Sequence, residues 1–174
     1  HRVDSVQREQ APELVGDRQR AFLIDWLSSI HASEMLKPET LHISVAILDK
    51  GLLQMNVVNS QQLYLIGLTA LFIACKYEEV HTICTQDFCR LAVPHVINPS
   101  DVLMQEFNLL ILNDFDLRVA TSRRFFEIYA NKVQASSIHR MLGEFFLELT
   151  LFEAEQLRAN DDSLHAMAAL LLAA

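Results

Sequence analysis

Apolar residues recur along this chain at intervals of three and four, the period of a helix face. Phe22, Leu23, Trp26, Leu27 and Ile30 share one such face while Arg18, Asp25 and Ser29 lie elsewhere, which predicts a first helix over residues 17–32. Pro38 and Glu39 suit a helix first turn, where a missing amide hydrogen costs nothing and a carboxylate meets the positive end of the dipole. The second helix then runs to about Met55 on the stripe Leu41, Val45, Leu48 and Leu52 and leaves through a polar turn at Asn59 and Ser60. Residues 63–77 are apolar almost all round, and a helix without a wet face must be surrounded by others, so this third helix is predicted at the centre of a bundle. A short fourth helix is expected over residues 85–92, capped by the Thr85 hydroxyl and stopped by Pro94. The fifth starts at Asn98-Pro99, with Asp101 in its first turn and Leu103, Phe107, Leu110 and Ile111 on its inner side. Residues 113–121 read as a linker, after which amphipathic stretches resume at 122–133, 137–155 and 162–174. By helix length and spacing this second group resembles an unfinished copy of the first, without a residue-level repeat.

Composition agrees with an all-α protein. Half of the 174 residues are apolar, and there are only four glycines and four prolines, which fits neither disorder nor a glycine-rich barrel. The net charge of -8 leaves no basic footprint for a phosphate backbone and weighs against nucleic acid as a partner. Three irregularly spaced cysteines point to free thiols in a reducing compartment. The longest uncharged run, 52–75, is broken by Gln54, Asn56, Asn59, Ser60, Gln61 and Gln62, so no membrane span is expected.

Several strings then stand in register. Residues 20–27 read RAFLIDWL, 39–45 read ETLHISV with Leu48-Asp49-Lys50 after them, and 62–79 read QLYLIGLTALFIACKYEE. Asp87-Phe88, Glu106 and the DFDL of 114–117 follow. Together these resemble the cyclin box, and the third string is similar to the form that B-type (mitotic) cyclins favour. The resemblance implies the cyclin fold: a lead-in at 1–18, a five-helix box at 19–118 wrapped around its third helix, and a truncated second box at 119–174. It also implies a regulatory subunit with no catalytic activity and no cofactor, which binds and allosterically activates a cyclin-dependent serine/threonine kinase at G2/M. Residence in nucleus and cytoplasm is the corresponding expectation.

By the same resemblance, Lys76 and Glu106 hold the backbone leading into the kinase regulatory helix, the lysine donating to carbonyls and the carboxylate accepting from amides. Leu65, Ile73, Tyr77, Phe115 and Leu117 match the apolar groove beside them and should divide between core and an exposed patch. Gln19, Leu23, Trp26 and Tyr64 correspond to a patch that receives substrates or inhibitors with Arg-x-Leu motifs. That match is damaged, because Gln19 replaces a methionine and Ser29 stands where an acid often pairs with the arginine. Arg20 and Asp25 are expected to fix helix packing through polar contacts. The Arg-x-x-Leu at 20–23 fits a destruction motif loosely, but it lies inside a helix and reads as structural.

Cys75, Cys84, Cys89, His81 and His95 do not form paired ligand knuckles, so zinc is not expected. Neither a hydrolytic triad nor a glycine-rich phosphate loop is present in the sequence. The alternative to a kinase activator is a cyclin-fold adaptor whose partners are DNA and polymerase, and the acidic charge argues against it. The face of 162–174 should stay exposed in this chain, giving marginal stability.

Overall fold

The computed structural model describes residues 16–153 and 161–174. Most of the expected lead-in and the end of the stretch predicted at 137–155 therefore lie outside the described residues. Eight helices are present among those described: α1 (Asp17–Ser33), α2 (Pro38–Gln54), α3 (Ser60–Glu78), α4 (Thr85–Arg90), α5 (Pro99–Leu112), α6 (Ser122–Lys132), α7 (Ser137–Thr150) and α8 (Asp162–Ala173). No strand occurs among the described residues.

Helix α3 packs against α1, α2 and α5, and every residue from Ile66 to Cys75 is buried. Its sequence requires this position, since an all-round apolar helix gains stability only by removing each face from water. Gly67 is the point of closest approach to α1: a Cβ there would come within 2.8 Å of the Leu23 side chain. Phe72 of α3 meets Phe88 of α4 at 5.1 Å between ring centroids, which anchors the short helix. The Glu79 carboxylate, just past α3, accepts from the Lys37 backbone N–H (2.8 Å) and the Thr40 hydroxyl (2.5 Å). An acid from one helix end thus closes the N-terminus of α2, where the dipole favours it.

Helices α6, α7 and α8 pack on one another around a smaller core of Phe126, Ala130, Leu147, Ala166 and Ala169. Among the described residues, contacts between α2 and α6 and from the chain beyond α7 join the two cores. Leu151 and Phe152, beyond α7, pack into the first core. Thr121, which caps α6, donates its hydroxyl to Glu39 of α2 at 2.7 Å. Arg20 of α1 reaches across the sequence to donate to the Leu151 carbonyl at 2.8 Å.

Three expectations are corrected. Helix α4 is capped from Cys84 without a side-chain bond to the helix amides, and Thr85 is its first residue rather than its cap. The Cys84 thiol instead donates to Asp87 at 3.0 Å. Helix α5 is rotated from the expected phase: Val102, Gln105, Glu106 and Leu109 face inward, whereas Leu103, Phe107 and Ile111 are exposed. Leucine and phenylalanine surround this helix, so apolar spacing fits two phases, and contact with α3 selects one. Finally, Arg20 does fix packing, but with Asp49 of α2, through Nε–Oδ1 at 2.6 Å and Nη2–Oδ2 at 2.8 Å. Asp25 lies on the exposed face of α1.

Candidate functional site

Lys76 sits in the last turn of α3, where the helix dipole favours a cation. Its ammonium lies 4.7 Å from the centroid of the Phe72 ring and forms an ion pair with the Glu106 carboxylate of α5. The inward phase of α5 makes this possible, because it turns Glu106 toward α3 while leaving its neighbour Phe107 outside. The pair is unequal: the Glu106 side chain is 11% exposed and that of Lys76 40%. Lysine therefore keeps donor capacity toward solvent, while the carboxylate is held by protein.

Apolar side chains follow from this pair along α5. Phe107 is 59% exposed, Leu103 and Ile111 are exposed on the same helix, and Tyr77 is exposed next to Lys76. After α5 the chain reverses through Asp114 and Phe115, both left-handed at φ 53° and 55°. Asparagine and aspartate tolerate that region, but a bulky phenylalanine there is strained and persists only where its surroundings impose it. The turn is imposed by three bonds: Asn113 Nδ2 donates to the Leu109 carbonyl (2.7 Å), Asp114 N–H to that of Ile111 (2.9 Å), and Phe115 N–H to that of Leu110 (2.8 Å). Its result is a phenylalanine ring 63% exposed to water. Arg118 follows close to Tyr77, and its hydrogen bonds to Asp116 hold that carboxyl well below the usual range.

The five apolar residues expected in a groove are thus divided. Ile73 is buried, Leu65 and Leu117 are half-buried against the core, and Tyr77 and Phe115 are exposed. Leu103, Phe107 and Ile111 add to the exposed surface and were not read as part of it, since sequence periodicity assigned them inward.

The second expected patch looks different. Leu23 is fully buried beneath α3 and presents no surface, which corrects its assignment there. Its burial follows from Gly67, whose missing side chain opens the space Leu23 fills. Gln19 is exposed. Trp26 packs edge-on against Tyr64 at 5.1 Å and against His95 at 5.4 Å, while His95 stacks on Tyr64 at 3.5 Å. In sequence His95 was weighed only as a metal ligand; no periodic signal places it on this pair. Among the described residues, no group of three or more histidine, cysteine or acidic side chains could hold a metal ion, and no helix is long and apolar enough to cross a membrane.

Comparison with known proteins places this geometry. Cyclin-B2-1 of Arabidopsis thaliana is 35% identical over 144 residues, covering 83% of this chain and 33% of the relative. Cyclin-B2-2 of Oryza sativa subsp. indica is 33% identical over 154 residues, covering 88% and 36%. The G2/mitotic-specific cyclin-B2 of Oryzias luzonensis is 33% identical over 158 residues, covering 90% and 40%. The chain thus spans between a third and two fifths of the length of these relatives. In fold it is similar to a viral cyclin from herpesvirus saimiri, with a TM-score of 0.81 at 18% identity over 91% of this chain and 70% of that one. It is also similar to a chain of the yeast RNA polymerase II CTD kinase CTDK-1 complex, with a TM-score of 0.75 at 18% identity over 90% and 54%. Residues 2–118, more than half of the chain, match the family described as cyclin, N-terminal domain. The chain belongs to the cyclin family, and the relatives it matches are B-type cyclins.

Proposed function

We propose that this chain binds a cyclin-dependent serine/threonine kinase and activates it allosterically, as a regulatory subunit acting at G2/M without catalytic groups of its own. Relatives named as G2/mitotic cyclins and fold likeness to a chain of a kinase complex support the reading. The observation that carries it is the Lys76–Glu106 pair, with exposed Tyr77 and Phe107 adjoining its two members in sequence and Phe115 exposed at the turn after α5.

The chemistry follows from that arrangement. Lysine donates and glutamate accepts, so the pair can hold carbonyls and amides of a partner main chain without reading its side chains. The apolar surface around it, with Leu65, Ile73 and Leu117 as its floor, would be covered by the kinase regulatory helix. Covering it in only one orientation turns that helix inward, so that the kinase's own lysine–glutamate pair forms and its activation loop opens. Driving such an equilibrium from one extreme to the other takes about 5.5 kcal/mol of differential affinity, which requires an extended surface rather than two contacts. Motifs with arginine and leucine would meet Trp26 and Tyr64 only where His95 moves off them. Residence in nucleus and cytoplasm belongs to the same reading and is checked by imaging the tagged chain.

The test is the double variant Lys76→Ala with Glu106→Ala, titrated calorimetrically against a cyclin-dependent kinase. Binding should weaken by about 2–5 kcal/mol while the far-UV spectrum of the free chain is unchanged. Wild-type affinity in the double variant would refute the assignment.

A further inference from the structure

A cavity of about 200 Å3 lies away from the α3–α5 surface, where α2 meets the starts of α6 and α8. It has room for several water molecules or one short aliphatic ligand. Its walls are of two kinds. Ala46, Val119 and Leu151 form an apolar side, and His42, Asp49 and Asp162 supply polar groups.

One of those polar groups lacks a partner among the described residues, and a second carries an unpaired charge among them. His42 is only 4% exposed, and its Nε2 has no hydrogen-bond partner among the described residues. Buried polar atoms are otherwise almost always bonded, so an orphan lining a cavity points to something that occupies it. Burial pushes the His42 pKa down to about 3, with Arg123 and His31 adding to the effect, so the ring is neutral near pH 7. Asp162 accepts from the Ser122 backbone N–H, yet burial raises its pKa, and it forms no ion pair among the described residues. Of the other charges nearby, Asp49 pairs with Arg20 and Arg123 with Glu144, although Arg123 Nε has no partner among the described residues, and Glu39 accepts from the Thr121 hydroxyl with Arg124 close by. Asp162 therefore stands without an ion-pair partner among the described residues, with His165 close by, on the same cavity wall as the buried acceptor of His42.

We propose that this cavity binds a primary ammonium or guanidinium group on a short aliphatic stem. The head donates to the Asp162 carboxylate and to His42 Nε2, which places the imidazole proton on Nδ1, and the stem lies against Ala46, Val119 and Leu151. The same chemistry is presented by a free amine and by a lysine or arginine side chain of a peptide.

The test titrates the whole chain with n-butylammonium near pH 7, followed by calorimetry and by the ring resonances of His42. Parallel arms use 1-butanol and an end-blocked Gly-Gly-Lys-Gly-Gly peptide. Saturable binding of n-butylammonium with shifts at His42 is expected, at least about tenfold tighter than 1-butanol, because the charge-assisted bond to Asp162 is lost in the alcohol. Peptide binding at the same resonances identifies a side chain as the source, and its absence beside amine binding identifies a free amine. Ala46→Leu fills the cavity and should abolish binding; if that variant does not fold, Val119→Leu takes its place. Equal binding of 1-butanol, undiminished binding in the filled variant, or no saturable binding of n-butylammonium overturns the proposal.

Discussion

The imidazole of His42 is buried beside Arg123 and His31, and its pKa is pushed down to about 3 from an ordinary value of 6.5. Its unfolded form therefore takes up a proton first as pH falls, and the folded chain loses stability from about pH 6.5 downward until the folded ring also titrates. By pH 5 the loss amounts to about 2 kcal/mol. Glu39 and Asp162 act with the opposite sign: burial raises their carboxyls, so the folded chain takes up these protons first and gains stability as pH falls from the raised values to the ordinary ones of 4.5 and 3.8. His42→Gln should accordingly flatten the stability profile between pH 7 and 5 in urea titrations. A variant with the wild-type slope would assign the dependence to another group. Nothing in the spacing around residue 42 announced this, because burial of a histidine depends on what covers it. Lys76 and Glu106 were singled out by resemblance to the cyclin box, since either charge alone reads as an ordinary helix-end or surface residue. The full burial of Leu23 was not legible, because its depth depends on Gly67 of another helix.

At the scale of elements, close approach sets the packing of neighbouring helices. Gly143 of α7 faces α6, and a Cβ at that position would overlap the Phe126 ring, a main component of the second core. Gly143→Ala should lower stability by about 1–3 kcal/mol, the cost of overpacking a filled core, with the urea midpoint as the measurement. An unaltered midpoint would mean that α7 is free to move away from α6. Gly67→Ala meets the more pliable end of Leu23 and should cost less. Helix α3 was legible because an apolar surface on all sides admits only a central position. Helix α5 was not, because leucines at several phases fit more than one inward face, and only the pairing of Glu106 with Lys76 shows which is realised.

In the whole molecule, Arg20 ties the two cores together. Its guanidinium is 2% exposed and bonds Asp49 of α2 as well as the Leu151 carbonyl beyond α7. Arg20→Leu leaves a carboxylate and a carbonyl without their donor, and stability should fall by about 3 kcal/mol. Hydrogen exchange should show α6–α8 losing protection more than α3; uniform loss would contradict a joining role. The second unit also leaves apolar side chains in water, including Phe145 at 53% and Leu171 at 72% exposure. Exposed area of this kind should bind a hydrophobic dye at neutral pH, and an absence of dye fluorescence would show that the chain covers it by self-association or rearrangement.

Helix content and the central place of α3 were determined by the sequence alone, because period and all-round hydrophobicity act locally along the chain, whereas Lys76 and Glu106 were marked by resemblance to the cyclin box. The partner of Arg20, the phase of α5 and the cavity beside His42 were decided only by tertiary structure. Each depends on which distant surface arrives against a residue, and pairwise packing of that kind leaves no periodic trace in a single sequence.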